Sequence, residues 1–359
     1  MNTERNGNQF KANKTISIST MTFKPKGNGA DNNSLKTYKV LRLGDVAYEG
    51  HTNNEFAYGR FVLNDIGDGI MSPRFSCLRP LKVQNILFWK EYIHSELVMR
   101  NILVRSTKKG TMMNELVSED FLRNKIKVPS SREQECIGSL FRCLDSLIAA
   151  AERKVCLLKK KKHAYLNHIF TQHLRFTGHT TPWHQQAFKE LVSRQSKTNG
   201  FSLLPTVEYE DIIPGEGRLN KNIYKKKKGK HGVLFQQGDI LFGKLRPYLK
   251  NWVFAEFDGI AVGDFWVLRR LTGMNNRFLF FLIQSPSFEA VSSLSTGTKM
   301  PRADWNLVSN TLFSIPTEQA EQTEIARFFQ TLDSLIAAAE RKVSLLKKRK
   351  QAYLQKMFV

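Results

Sequence analysis

No apolar run in this chain approaches the roughly 20 residues that cross a bilayer; the longest, such as Phe278 to Ile283, fall far short. The first residues, Met1 to Phe10, are polar and offer no export signal, so the expected location is the cytoplasm, with no membrane partner. Cysteine is scarce, four residues in 359, and Cys77, Cys136, Cys143 and Cys156 never stand at CxxC spacing. A disulfide scaffold is thereby excluded. Cys143, Cys156, His163 and His168 share one stretch, but structural zinc wants closer ligand pairs, and no metal is expected. The signatures of catalysis are missing as well. There is no GxxxxGK[ST] phosphate loop, no HExxH, no GxSxG, no Gly-rich cofactor loop and no (Asn/Asp)-Pro-Pro-aromatic motif of adenine methyltransferases. The acids Glu208, Glu210 and Asp211 have no lysine in a nuclease pattern and read as ordinary surface. A chain without catalytic chemistry or a cofactor of its own is expected.

Negative charge is also in short supply. Against 55 Lys and Arg stand 32 Asp and Glu, a formal net charge of +23, which calls for a polyanionic partner, nucleic acid before an anionic membrane surface. What the chain does have is apolar substance. With 41% hydrophobic residues, 25 of them Phe, it can offset the entropy of folding, and its length suits two globular domains.

A long internal repeat organises the sequence. LDSLIAAAERKV occurs at Leu144 to Val155 and again, without a difference, at Leu332 to Val343, an offset of 332 − 144 = 188. The match continues through LLKK, an AYL at Ala164 and Ala352, and a closing Phe170 or Phe358. Upstream it includes EQECI at Glu133 against EQTEI at Glu321, VP at Val128 against IP at Ile315, and Gly110-Thr111 against Gly297-Thr298. Apolar residues recur in heptads along each copy. One seam runs Ile137, Phe141, Leu144, Ile148, Ala151, Val155, Leu158, Lys162, Tyr165 and Ile169; the other Ile325, Phe329, Leu332, Ile336, Ala339, Val343, Leu346, Lys350, Tyr353 and Met357. Two helices of roughly 50 Å packed as a coiled coil are predicted. Ser130 and Glu133 form a capping box for the first, and Thr317 a simple cap for the second. Lys162 and Lys350 interrupt both seams at one equivalent position, a device that fixes register. The run Lys159 to Lys162 reads as a solvated face.

Between the copies, short β-rich runs punctuated by Gly predict strands at Val233 to Phe235, Asp239 to Phe242, Asn251 to Phe254, Ile260 to Val262 and Phe265 to Leu268, then a helix over Asn276 to Gln284. GDVAY at Gly44 and SPRFSCL at Ser72 repeat the later half of this pattern before the first helix. Three basic loops mark the second domain. They carry Lys225, Lys226, Lys227, Lys228 and Lys230; Lys244, Arg246, Tyr248 and Lys250, with Trp252 nearby; and Lys299 with Arg302. Charge interleaved with aromatic surface is what a phosphate backbone and its bases select. Weaker equivalents in the first domain are Arg60, Arg74, Arg105, Lys108 and Lys109.

Taken together, the GT loop, the Pro, the EQxxI start, the LDSLI seam and the final KK..AYL, each present twice, resemble the specificity subunit of type I restriction-modification systems. The resemblance runs from about residue 37 to the end, and its most specific parts are IPTEQAEQTEIARFF at Ile315 and GDILFGKLRPY at Gly238. It implies a mixed α/β (α+β) fold: two target-recognition domains separated by two long antiparallel coiled-coil helices, with Leu144, Ile148, Val155, Leu158, Leu332, Ile336, Val343 and Leu346 in the seam. The expected layout is a disordered segment at 1–36, a shortened first recognition domain at 37–130, the first helix at 131–172, the second recognition domain at 173–316 and the second helix at 317–359. The first domain is called shortened because nothing in it matches TPWHQQAFKELV at Thr181. The resemblance further implies sequence-specific binding of double-stranded DNA at a bipartite site. Two modification (methyltransferase) subunits and the restriction (endonuclease/translocase) subunits are the implied partners, and S-adenosylmethionine, ATP and Mg2+ would reside on them. The readings set against it are a coiled-coil DNA-binding or interaction protein outside restriction-modification, an orphan specificity protein, and a stand-alone nuclease or methyltransferase.

Overall fold

The computed structural model describes residues 2–111, 113–198, 203–226, 229–294 and 300–358. The first half runs through β1 (Ile16–Ser17), β2 (Thr22–Phe23), α1 (Asn32–Lys36), β3 (Lys39–Leu41), β4 (Val46–Glu49), β5 (Arg60–Leu63), β6 (Gly69–Met71), β7 (Ser76–Leu78), α2 (Ile86–His94), α3 (Glu96–Ser106), β8 (Thr107–Lys108), β9 (Glu115–Leu116), α4 (Ser118–Arg123) and the 40-residue α5 (Ser131–Phe170). The second half comprises β10 (His184–Ala187), α6 (Phe188–Leu191), β11 (Val192–Gln195), β12 (Thr206–Val207), β13 (Ile212–Ile213), β14 (Arg218–Leu219), β15 (Val233–Phe235), β16 (Ile240–Gly243), β17 (Trp252–Phe254), β18 (Gly259–Ala261), β19 (Phe265–Arg270), α7 (Asn276–Leu282), α8 (Pro286–Ser293), α9 (Trp305–Asn310), β20 (Leu312–Ile315) and the 39-residue α10 (Gln319–Met357). Contacts divide the chain into two units, Met1–Glu152 with Arg341–Val359, and Arg153–Glu340. The division falls inside both long helices, not at their ends.

In the first unit, β5, β4 and β7 form an antiparallel sheet in which Val46 faces both Leu63 and Leu78. Phe61, Phe88, Phe141, Leu144 and Phe358 make its core. Residues 2–36, expected to be disordered, are tied down. Asn2 donates its side-chain amide to the Val40 carbonyl at 2.8 Å and its backbone N–H to that of Cys77 at 2.9 Å. Glu4 bridges Arg42 at 2.6 Å and Arg79 at 2.7 Å, and Ile16, Ile18 and Leu35 are buried. The Asn- and Lys-rich composition hid this order because side-chain hydrogen bonds, more than an apolar run, hold the segment.

The second unit carries the four-stranded sheet β11-β19-β16-β17 beside β12-β18-β15 and the pair β10-β20. Its predicted strands and helix all form, and Phe278, Leu279, Phe280 and Phe281 of α7 are buried as expected. The two GD motifs build one device twice. Gly44 and Gly238 take the left-handed conformation, with φ of +87° and +92°, and turn the chain into β4 and β16. The following carboxylate caps that turn and grips an arginine. Asp45 accepts from Arg42 N–H and Arg79 Nη2, each at 2.8 Å, and Asp239 accepts from Gln236 N–H at 2.8 Å and Arg269 Nη2 at 2.7 Å. A further repeat, invisible in the sequence, lies at an offset of 190. Asn85 and Asn275 cap α2 and α7 with their side chains, and Ser95 and Ser285 stand before α3 and α8.

Within each unit, portions of α5 and α10 pack antiparallel. In the first, Asp145 meets Lys350 at 2.8 Å and Glu152 meets Lys347 at 2.8 Å; in the second, Lys159 meets Glu340 and Lys162 meets Asp333, each at 2.7 Å. The two seam lysines therefore pair with the aspartate of LDSLI on the opposite helix. Ile148, Ala151 and Leu346 form a small apolar cluster with Val343 beside it, Leu144, Leu332 and Ile336 are buried, and Val155 and Leu158 are half-buried. The second seam departs from its heptads at the end. Tyr353 and Met357 point to solvent while Phe358 is buried and Leu354 packs against the first unit's core. The capping box forms, with Ser130 N–H donating to Glu133 at 3.0 Å. Thr317 does not cap; α10 begins at Gln319, and the Thr317 hydroxyl donates to the Pro182 carbonyl at 2.8 Å.

Candidate nucleic-acid interface

Two loops of the second unit are stitched together by their backbones. The loop between β16 and β17 holds Lys244, Arg246, Tyr248 and Lys250, and the segment before α9 holds Arg302. Arg246 N–H donates to the Pro301 carbonyl at 2.7 Å, Ala303 N–H to that of Lys244 at 2.8 Å, and Leu245 bridges Arg302. Arg246 and Lys250 both adopt left-handed backbone conformations, φ +50° and +57°, on either side of Pro247. Such strain in non-glycine residues concentrates where a loop serves recognition.

The acids that read as ordinary surface anchor this face. Asp211 is fully buried and pairs with Lys226 at 2.6 Å and Lys221 at 2.9 Å. Burial alone would raise its carboxyl, but the two lysines bring it below the usual range. Glu208 holds Lys226 at 2.7 Å and Lys230 at 2.8 Å, and those contacts lower its carboxyl too. Between these acids Tyr209 turns inward, donating to the Asp264 carbonyl at 2.6 Å and accepting from Leu245 N–H at 3.2 Å. Burial pushes its phenol up to about 12. One tyrosine thus joins the turn that carries the lysine loop to the stitched pair of loops. The charged residues flanking Tyr209 are all acids, and the lysines that pair with them begin at Lys221, so no local pattern marks the cluster, although a buried carboxylate needs cations within reach.

Neutralisation sorts the basic residues. Asp264 takes Arg302 at 2.9 Å and Lys244 at 3.5 Å, and Glu289 takes Lys250 at 2.7 Å. Arg246, half-buried, has no side-chain partner among the described residues; Lys225 and Tyr248 are exposed. Lys227, Lys228 and Lys299, with Gly297 and Thr298, lie outside the described residues. In the first unit Arg60 is held by Glu49 at 2.7 Å over the Phe56 ring, whereas Arg74, Arg105, Lys108 and Lys109 are exposed. Of the KKKK run, Lys160 and Lys161 are solvated, but Lys159 binds Glu216 and Glu340 at 2.7 Å each, and Lys162 is buried. Among the described residues no group of three or more His, Cys, Asp or Glu could hold a metal ion, and no helix is long and apolar enough to cross a membrane.

No family model matches the chain. The type I restriction enzyme MjaVIII specificity subunit of Methanocaldococcus jannaschii is 24% identical over 320 residues, which cover 79% of this chain and 72% of that protein. The type I restriction-modification S subunit from M. genitalium shares the fold at 13% identity and a TM-score of 0.52, covering 89% of this chain and 84% of that one. A chain from a structure describing complex assembly and conformational transition of the type I R-M system shares it at 16% identity and a TM-score of 0.56, over 100% and 95% of the two chains. Over most of its length the chain is thus similar in sequence to a specificity subunit of a type I restriction enzyme, and it shares its fold with chains of type I restriction-modification systems.

Proposed function

We propose that this chain is the specificity subunit of a type I restriction-modification system, that it reads one part of a bipartite DNA site with each unit, and that the second unit reads through the stitched loops 244–250 and 300–303. The carrying observation is Arg246, an uncompensated guanidinium on a strained and backbone-braced loop beside exposed Tyr248. A planar fork held in this way suits bidentate contact with guanine or phosphate. Lys225, Lys244, Lys250 and Arg302 add phosphate attraction around it, and Arg74, Lys108 and Lys109 play that part in the first unit. The test is selection of duplexes from a random library by the full chain, followed by affinity across a salt series. Arg246→Glu should abolish enrichment and Arg246→Ala should lower the salt slope by about one phosphate contact; unchanged enrichment in both would refute the assignment.

Chemistry is proposed to reside in partners. Modification subunits carrying S-adenosylmethionine, and restriction subunits using ATP and Mg2+, would supply methylation and cleavage, in the cytoplasm where the DNA lies. The long helices offer two like docking places. Leu147 and Leu345 of the first unit, and Leu157 and Leu335 of the second, are each about half exposed and correspond through the 188-residue offset. Equivalent apolar positions in both units fit two copies of one partner. Leu147→Glu with Leu345→Glu should leave one modification subunit bound in place of two.

A further inference from the structure

The duplication lets one unit serve as a template for the other. In the second unit β20 is paired along its length by β10, from His184↔Ile315 to Ala187↔Leu312, and β19 by β11. The intervening α6 seats Phe188 and Leu191 in the core, both fully buried. Counting back from Pro316 and Pro129, which precede the two long helices, β20 corresponds to residues 125–128 of the first unit. There no strand of the described residues lies alongside. The N–H groups of Lys125, Ile126, Lys127 and Val128 have no partner among the described residues, and β7, the counterpart of β19, is an edge strand. Side chains show the same deficit. Phe313, Leu268, Phe288 and Val308 are buried, whereas their counterparts Ile126, Leu78, Val98 and Phe121 are only partly so. Just beyond β7, Leu81 and Val83 are bare, at 102% and 104% relative exposure.

Charge says what fits this edge. Lys125 and Lys127 are exposed and have no acidic partner among the described residues, where the second unit has Leu312 and Ser314 facing Ala187 and Gln185. We propose that residues 125–128 are a docking edge for an extended peptide segment of another protein, which adds antiparallel as β10 does and places carboxylates opposite Lys125 and Lys127. Unsatisfied backbone groups supply the affinity and the two lysines the selectivity. The proposal does not depend on the DNA-reading assignment, because none of these residues belongs to that surface.

The probe is a synthetic peptide of the Trp183–Gln195 sequence bearing Gln185→Glu and Ala187→Glu, offered to the full chain. Hydrogen exchange should slow at residues 125–128 and stay unchanged at Leu312–Ile315, which are already paired. The unmodified peptide should bind about fivefold more weakly, in line with two cross-strand ion pairs. In a Lys125→Glu/Lys127→Glu variant, whose changes lie at exposed positions, that preference should invert. Ile126→Pro, which removes one N–H, gives a second check through loss of binding. Unaltered exchange at 125–128 with millimolar peptide, or equal affinity for the two peptides, overturns the proposal.

Discussion

Asp333→Ala should cost far more than Asp145→Ala, although both residues lie in the same twelve-residue sequence. Asp333 faces Lys162, which is 7% exposed. Its removal leaves a buried ammonium whose remaining support is the Gln284 oxygen at 2.8 Å and the Phe281 ring at 5.4 Å. Stranding a buried charge costs about 3 to 5 kcal/mol, and these two neighbours argue for the lower end, about 3 kcal/mol. Asp145 is 42% exposed and shares Lys350 with Glu91 at 2.9 Å, so its removal leaves that lysine paired. The loss there should be about 1 kcal/mol or less. For a unit of this size, 3 kcal/mol corresponds to a melting shift of roughly 6 to 12 °C. Four of the five tryptophans, Trp183, Trp252, Trp266 and Trp305, belong to the second unit, so denaturation followed by fluorescence reports chiefly on the unit holding Asp333. Burial also pushes the Asp333 carboxyl up despite Lys162. The intact pair is therefore a specifying device more than a stabilising one, and Lys162→Met with Asp333→Leu should be nearly neutral. Equal losses for the two alanine variants would refute this reasoning.

Three further outcomes are expected. His179 lies between Glu318 at 2.9 Å and Glu324 at 3.0 Å, contacts that raise its pKa above 6.5. Its stabilisation is complete below 6.5 and fades as pH rises through the higher folded value, so His179→Gln should flatten stability against pH in that window, read by urea midpoints. Gly59 has φ +80°, and a Cβ there would sit 2.5 Å from the Glu49 carbonyl oxygen, so Gly59→Ala should cost about 2 kcal/mol or more in thermal melts. Lys226→Met should destabilise the second unit by about 2 kcal/mol by weakening the hold on buried Asp211, while lowering DNA affinity less than Arg246→Ala does in the same titration.

Most of the architecture could be read from residue order because it rests on periodicity and duplication. The LDSLI heptads and the GD turns repeat, and repetition survives without coordinates. What escaped depends on pairing between distant residues. Nothing local in Glu208, Tyr209 or Asp211 announces that the tyrosine will reach Asp264 and the acids will clamp Lys221, Lys226 and Lys230. The basic loops were visible as a surface, but which of their charges stay uncompensated was not, since that depends on where Asp264 and Glu289 arrive. Residues 2–36 escaped for a related reason, being held by Asn2, Glu4 and their partners across the fold.

The cross-paired lysines and aspartates also give each helix a polarity code. Every copy carries the acid near its beginning and the base seventeen residues later, Asp145 then Lys162, Asp333 then Lys350. Laid head to head in register, two such copies would set base against base and acid against acid; only the reversed orientation matches them. Orientation is thus written into a single repeat, and a gene duplication could reproduce a working pair at once, with no second surface left to evolve.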